Sequence, residues 1–377
     1  ITNDTQYEIS EDFTVSISNP VNAVLGTSSA TGTIVDDGRS LPGGPANDDR
    51  PGFSINDLVI DEAAGTVTFT VTRSGDLSQS AAVDYAGQAN TATTPADYSV
   101  SAGTLNFAAG VATQTITVAI TNDGVFEGAE SFNINLSNPV GAVIVDGQGV
   151  GTIVDDGRTL PGGPANDDRP VFNMGSDFVV DEAAGTITFT VTKSGATDLS
   201  SSVNFTTVDG SAVAGADYAA VSGLLTFAAG ETVKTITVAI TNDSIFEGAQ
   251  DFSVQLSSPS NATLGDNTQV ATIVDDGRNL PGGPANDDRP SLSIGSDVII
   301  DEAAGTVTFT VTKSGATEQP VTVDFATANG SATAGADYTG QSGQLTFAAG
   351  ETVKTITIAI TNDTQYEISE DFTVSIS

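Results

Sequence analysis

The sequence predicts an all-β chain built of tandem antiparallel seven-stranded β-sandwich modules, immunoglobulin-like, in a linear array. Three observations predict it. Short apolar runs alternate with polar residues at period two. Turn residues punctuate those runs. The whole pattern then recurs along the 377 residues at a fixed spacing.

The repeat comes first. Asp61-Glu62-Ala63-Ala64-Gly65-Thr66 recurs from Asp181 and from Asp301, 120 residues apart each time. The segment Leu41–Pro51 recurs at 160–170 and 280–290. Residues 1–18 and 360–377 are identical, which sets a longer period of 359 residues. One reading is an arbitrary window on a longer periodic protein. The other is a subunit whose ends complete each other in a polymer. The first is preferred, because a donated strand should supply what is missing, whereas here both ends carry the same strand. Parsing gives the C-terminal half of a module at 1–38, whole modules at 52–157 and 171–277, and a module without its C-terminal part at 291–377. Linkers fall at 39–51, 158–170 and 278–290. Their paired prolines and double Gly exclude helix and inner strand. Six of the 11 basic residues are linker arginines (Arg39, Arg50, Arg158, Arg169, Arg278, Arg289) beside Asp pairs, where local ion pairs of modest value are expected.

The elements follow within one module. Thr186–Thr192 places Ile187, Phe189 and Val191 on one face and threonines on the other, a half-buried strand. Thr235–Ile240 reads the same way, as do Phe252, Val254 and Leu256. Leu225 with Phe227, and Val203 with Phe205, mark two more strands, and Thr272–Val274 closes the module. Ser194-Gly195, Ala229-Gly230 and Ser257-Ser258-Pro259 read as turns. About seven strands in about 105 residues suit a sandwich, with a small barrel as the alternative.

Composition narrows the function. The balance of 48 acidic against 11 basic residues, net −37, disfavours nucleic acid and anionic lipid as partners. No apolar run is long enough for a membrane helix. With no Cys and no His, disulfides, thiolate metal sites and the usual catalytic triads cannot form. Paired carboxylates serve glycosidases, but there is no Trp and no aromatic-rich cleft, and the acids repeat in every module. The chain reads as a non-enzyme.

The carboxylates gather at strand ends and loops. Each module carries an early Glu (Glu62, Glu182, Glu302) and a later Asp-Tyr (Asp97, Asp217, Asp337). A hairpin set follows, such as Asn122-Asp123 with Glu127 and Glu130, and then a terminal Asp pair (Asp155-Asp156, Asp275-Asp276). Ca²⁺ takes six to eight oxygen ligands, so acids from several loops must converge on it. The loops at one end of a sandwich can do this. A single such Asp is more simply a solvated turn residue. The full set recurring in register favours calcium.

These residues resemble the Calx-beta domain, the calcium-binding sandwich of sodium–calcium exchangers, integrin β4 and many bacterial surface proteins. The matching text is Asp61-Glu62 with Thr66–Thr72, Ala96-Asp97-Tyr98, Gly103–Phe107, Thr115–Val118, Asp123 to Glu130 with Phe132, and Thr152–Asp156. The resemblance covers nearly all of the chain outside the linkers. It implies several Ca²⁺ at one end of each sandwich. In the first whole module the implied ligands are Glu62, Asp97, Asp123, Glu127, Glu130, Asp155 and Asp156. In the second they are Glu182, Asp217, Asp243, Glu247, Asp275 and Asp276. At the start they are Asp4, Glu8, Glu11, Asp36 and Asp37, and at the end Glu302, Asp337, Asp363, Glu367 and Glu370. Three departures remove charge relative to the family pattern: Asn122, Asn242 and Asn362 for a first hairpin Asp, Gly38, Gly157 and Gly277 for a third terminal Asp, and Gln250 for the counterpart of Glu130. They imply fewer or weaker ions, least in the second module.

The functional expectation is a calcium-rigidified filament, sheath or adhesin stalk outside the cell, of a bacterial secreted, surface or biofilm-matrix type. The alternative is an array of calcium-sensing modules acting on a partner domain. Expected partners are calcium, neighbouring modules of the same chain, lateral copies, or a surface or matrix ligand. Linker acids Asp48, Asp49, Asp167, Asp168, Asp287 and Asp288 are expected near the calcium pole, as ligands or as arginine partners.

Overall fold

The computed structural model describes the chain apart from residues 1, 3, 9, 37–48, 156–159, 161–166, 276–279, 281–286 and 367. By its contacts the chain divides into two compact units. One comprises residues 1–170 with 195–200 and 228–230, and the other the remainder. Among the described residues the regular structure is strand, interrupted by short 3₁₀ turns.

The first unit opens with β1 (Glu11–Ser16) and β2 (Ser29–Ile34), an antiparallel pair. The strands that follow are β3 (Gly52–Ile55), β4 (Leu58–Asp61), β5 (Thr66–Ser74), β6 (Ala81–Ala89), β7 (Tyr98–Ser99) and β8 (Gly103–Phe107). They continue with β9 (Thr113–Ile120), β10 (Val125–Phe126), β11 (Glu130–Val140), β12 (Val143–Ile144) and β13 (Gln148–Val154). Two sheets face each other, in the orders β4-β13-β11-β6-β8 and β12-β3-β5-β9-β7. In β5 the apolar Val67, Phe69 and Val71 turn inward while threonines line the outside, as the period-two pattern requires. The core between the sheets is built from Phe53, Phe69, Val83, Phe107, Val118, Phe132 and Ile134, each at most 1% exposed.

The sheets are antiparallel except at their edges. The first strand breaks at Asn56-Asp57, so β3 stays in one sheet and β4 crosses to the other. Each half then lies parallel to a late strand, β3 beside β12 and β4 beside β13. Side chains at the break replace ladder bonds. Asn56 Oδ1 accepts from Thr70 N at 2.7 Å, and Asp57 Oδ1 from Val150 N at 2.7 Å. This crossing carries the chain to Asp61-Glu62 at one end of the sandwich.

The second unit repeats this plan. Thr186–Ser194 pairs with Val171–Met174 and Val233–Ala239, and Gln250–Ser260 with Ser201–Asp209 and Thr268–Val274. The segment Ser257-Ser258-Pro259, expected as a turn, is part of a strand. It forms a bulge with Ser258 at φ 49°, where the register against Ser201–Asp209 shifts. Farther on, Thr306–Ser314 lies between Ser291–Ile294 and Val353–Ala359. Val321–Asn329 lies between Ser342–Phe347 and Phe372–Ile376. Residues 298–300 have no strand beside them among the described residues, and Ile299 is fully exposed.

One aromatic pair recurs and prepares the site. Tyr98 stacks on Phe132 with centroids 4.2 Å apart, Tyr218 on Phe252 at 4.1 Å, and Tyr338 on Phe372 at 4.2 Å. Each Tyr follows the mid-module Asp, and each Phe lies two residues after position 130, 250 or 370. Buried stacking therefore fixes a loop and a strand end side by side.

Candidate metal centre

The early Glu is set by a single 3₁₀ turn. Asp61 caps it, its Oδ1 accepting from Ala63 N at 2.9 Å, and Gly65 ends it in the left-handed region at φ 71°. Glu62 is thereby turned inward, 7% exposed, and its Oε1 accepts from Asp123 N at 2.7 Å. The arrangement recurs at Glu182, bonded to Asp243 N at 2.6 Å, and at Glu302, bonded to Asp363 N at 2.6 Å.

The aspartates at 97, 123 and 155 and their counterparts are anchored in the same manner, one oxygen on backbone. Asp123 Oδ1 accepts from Val125 N at 2.8 Å, and Asp155 Oδ2 from Glu127 N at 2.7 Å. Asp97 Oδ2 accepts from Thr93 N at 2.5 Å and Thr93 Oγ1 at 3.0 Å. In the second unit Asp243, Asp275 and Asp217 accept from Ile245 N, Glu247 N and Val213 N. The loops are thus tied down by the very carboxylates that face the pole. Asp155 and Asp275 are each 4% exposed, and the Oδ1 of each is buried without a partner. Asp61 and Asp181 are fully buried, and each leaves Oδ2 in the same condition. A buried carboxylate oxygen with no donor is costly, and a cation meets that need.

The oxygens converge. Asp97, Glu127 and Glu130 offer atoms within 4.8 Å of one another, as do Glu182, Asp275 and Asp288. A cavity lined by Glu182, Asp217, Asp243, Glu247, Gln250 and Asp275 holds about 10 Å³, room for one water or one ion. Burial pushes Glu62 from 4.5 up to about 7, and the charges of Asp155, Asp123 and Glu127 add to it against the lowering bond from Asp123 N. Burial and then Asp97 push Glu130 up to about 7. Burial raises Asp155 to about 6, and Glu182 and Glu247 each to about 7. Glu127, Asp168 and Asp275 are raised from the same first cause. These groups repel each other in a dry setting and would be steadied by positive charge.

The linker acids divide into two roles. Asp167 pairs with Arg169 at 2.6 Å, and Asp287 pairs with Arg289. Asp168 and Asp288 instead turn to the acidic pole, each with Oδ2 buried and unpartnered. Asp168 feels Asp123 and Asp61, and Asp288 joins Glu182 and Asp275. Gln250, in place of the counterpart of Glu130, donates to Glu247 Oε2 at 2.9 Å. It removes one charge and occupies one oxygen.

The outer sets are looser. Glu8 N donates to Asp36 Oδ2 at 2.9 Å, and Glu11, then burial, then Asp4 and Asp36 raise Glu8. At the far end Glu302 is half-buried, while Asp363 and Glu370 are exposed. Burial and Asp337 raise Glu370. Asp37, Asp156, Asp276 and Glu367 lie outside the described residues, as do Asp48 and the linker glycines 38, 157 and 277.

Sequence reasoning missed one set of residues. Arg73, Lys193 and Lys313 are 1%, 3% and 4% exposed. The Arg73 guanidinium donates to the carbonyls of Gln79, Leu77 and Ala108 and lies 5.8 Å from the Phe107 ring. It shapes the loop after β5 from inside. A basic residue at a core-facing strand position was the available signal.

The fold and the anchored acids define a class: repeated β-sandwich modules with an acidic, ion-fitting pole. A sequence model of the Calx-beta domain matches residues 1–38, 46–156, 165–277 and 285–377, and the chain belongs to that family. Extracellular matrix protein 3 of Lytechinus variegatus is similar at 30% identity over all of this chain and 12% of its own length. Sodium/calcium exchanger 1 of Rattus norvegicus is 32% identical over 52% of this chain and 21% of its own length. A crystal structure of CBD12 from CALX1.2 is similar at 23% identity, covering 59% of this chain and 99% of that one, with a TM-score of 0.30. The chain thus spans about an eighth of the matrix protein it matches.

Proposed function

We propose that this chain is a calcium-binding structural repeat region of an extracellular protein, a filament, sheath or adhesin stalk stiffened by calcium. The observation that carries this is the buried, unpartnered Oδ1 of Asp155 and Asp275 within backbone-anchored acidic poles. Calcium binding by the Calx-beta family and similarity to a matrix protein support it.

In the first whole module the holding residues would be Glu62, Asp97, Asp123, Glu127, Glu130 and Asp155, with Asp168 from the linker. In the second they would be Glu182, Asp217, Asp243, Glu247, Asp275 and Asp288. Asp4, Glu8, Glu11 and Asp36, and Glu302, Asp337, Asp363 and Glu370, form the outer sets. A bound Ca²⁺ supplies the positive charge that these poles lack. Glu62, Asp97, Asp123 and Asp155, with Glu182, Asp217, Asp243 and Asp275, need little rearrangement, because each is already tied to a backbone N–H. Asp168 and Asp288 also fasten the end of each linker to the pole that precedes it. An ion there therefore restrains the junction as well as the module.

Small-angle scattering of the full chain tests the mechanical part. With calcium the chain is expected to be longer and stiffer than with chelator, with a larger maximum dimension and radius of gyration. Identical profiles would refute calcium stiffening.

A further inference from the structure

The loops after Thr186–Ser194 and Thr306–Ser314 each reach back to the module before. Gly195, at φ 102°, turns the chain, and Ala196-Thr197 pairs in parallel with Val125-Phe126 of β10. Thr197 is 6% exposed, and its Oγ1 donates to the Phe126 carbonyl at 2.7 Å. The N–H of Asp198 points at the same carbonyl at 3.3 Å. Leu199 comes within 3.8 Å of where a Cβ on Gly128 would stand. Asp198 is therefore held beside Glu127 by backbone pairing on one side and packing on the other.

The second unit repeats this with different text. Ala316-Thr317 pairs in parallel with Ile245-Phe246, and Glu318 N donates to the Phe246 carbonyl at 3.1 Å. The loops read Ala-Thr-Asp-Leu-Ser and Ala-Thr-Glu-Gln-Pro. They diverge after the acid, yet an acid occupies the same place in both. In the first junction a different position does related work, since Asp76 Oδ2 accepts from Tyr7 N at 3.1 Å.

An acid fixed here adds to existing repulsion. The charge of Asp198 bears on both Glu127 and Glu130, and that of Glu318 on Glu247. Glu127 is in turn bonded to Asp155, whose buried Oδ1 has no partner. Asp198 and Glu318 are exposed, so each meets the pole from its solvent side, where a shared cation would relieve the repulsion.

We propose that Asp198 and Glu318 are ligands in trans: each completes a divalent-cation site at the end of the preceding module, so that one ion bridges two modules. This rests on the calcium reading above and deepens it. Calcium at Glu127, Glu130 and Asp97 then couples directly to the next sandwich through Asp198, and at Glu247 and Asp217 through Glu318.

The test uses the full chain with D198N/E318Q. Its companions are the charge-keeping D198E/E318D and a control, D146N/D297N, which removes the same charge at two residues outside the candidate ligand sets. Terbium luminescence lifetimes in H₂O and D₂O count bound waters, and calcium titration gives affinity. D198N/E318Q is expected to weaken the affected sites about tenfold and to admit about one extra water per site. D198E/E318D should restore most of the affinity, and the control should change it less than about threefold. Affinity and water count equal to the control would overturn the bridging proposal alone. A wild-type chain that binds no calcium would overturn the calcium reading, and the bridge with it.

Discussion

Chelation is expected to lower the melting temperature of this chain by roughly 10 °C or more at pH 7.5. The reasoning starts from crowding. Glu62, Asp123, Glu127 and Asp155 bear on one another at a single pole, and burial raises Glu62, Glu127 and Asp155. Without a counter-ion, folding must bring these charges together in a poorly solvated place. An ion present at a hundred times its dissociation constant contributes about 2.7 kcal/mol per site. For a module of this size each kcal/mol moves the midpoint by about 4–8 °C. Calorimetry with saturating calcium and with excess chelator makes the comparison. The second module, with Gln250 in place of an acid, should lose less than the first. A midpoint that ignores chelator would mean that the poles are solvated turn acids.

The second large effect is on pH, and its sign is unusual. Folded proteins commonly lose stability in acid because paired carboxylates must be protonated. Here Glu62 and Glu182 are raised from 4.5 to about 7 in the folded chain. The folded apo state therefore holds protons more tightly than the unfolded state between about 4.5 and 7. In chelator, stability rises as pH falls through that window, and the penalty is complete above pH 7. For each of these two groups, 7% exposed, the difference is on the order of 3 kcal/mol. Glu130 and Glu247, half-buried, contribute less. With calcium the trend reverses, since protons compete for the same oxygens. Urea denaturation in chelator at pH 5.5 and pH 8 checks this. The midpoint should be higher at pH 5.5, and an equal or lower one would contradict the account.

Much of this was legible in the sequence because strands and loops follow local rules. The alternation at Thr66–Ser74 fixes which face is buried, and burial follows it residue by residue. The acids at 62, 97, 123, 127 and 155 recur in register in the second module, which marks them as a set before any geometry is known. What could not be read depends on contacts distant in sequence. Parallel pairing of β3 and β4 with late strands follows from a break at Asn56-Asp57 that looks like an ordinary turn. The capping of a 3₁₀ turn by Asp61, which turns Glu62 inward, was not read from the sequence. Asp167 and Asp168 are indistinguishable as text. Arginine claims the first and leaves the second facing the pole. The buried Arg73 was hidden because a cation at a core-facing position has no local explanation. Its partners are carbonyls from two separate loops.

The central claim is that the modular poles bind calcium through these carboxylates. Calcium titration calorimetry of the wild-type chain and of D155N/D275N tests it most directly. Those two substitutions remove, in each whole module, one buried acid with an oxygen that has no protein donor. The account predicts several ions per wild-type chain, at least one for each of the two whole modules, and loss of the tightest sites in the variant. No calcium uptake by the wild-type chain, or uptake unchanged in D155N/D275N, would contradict it.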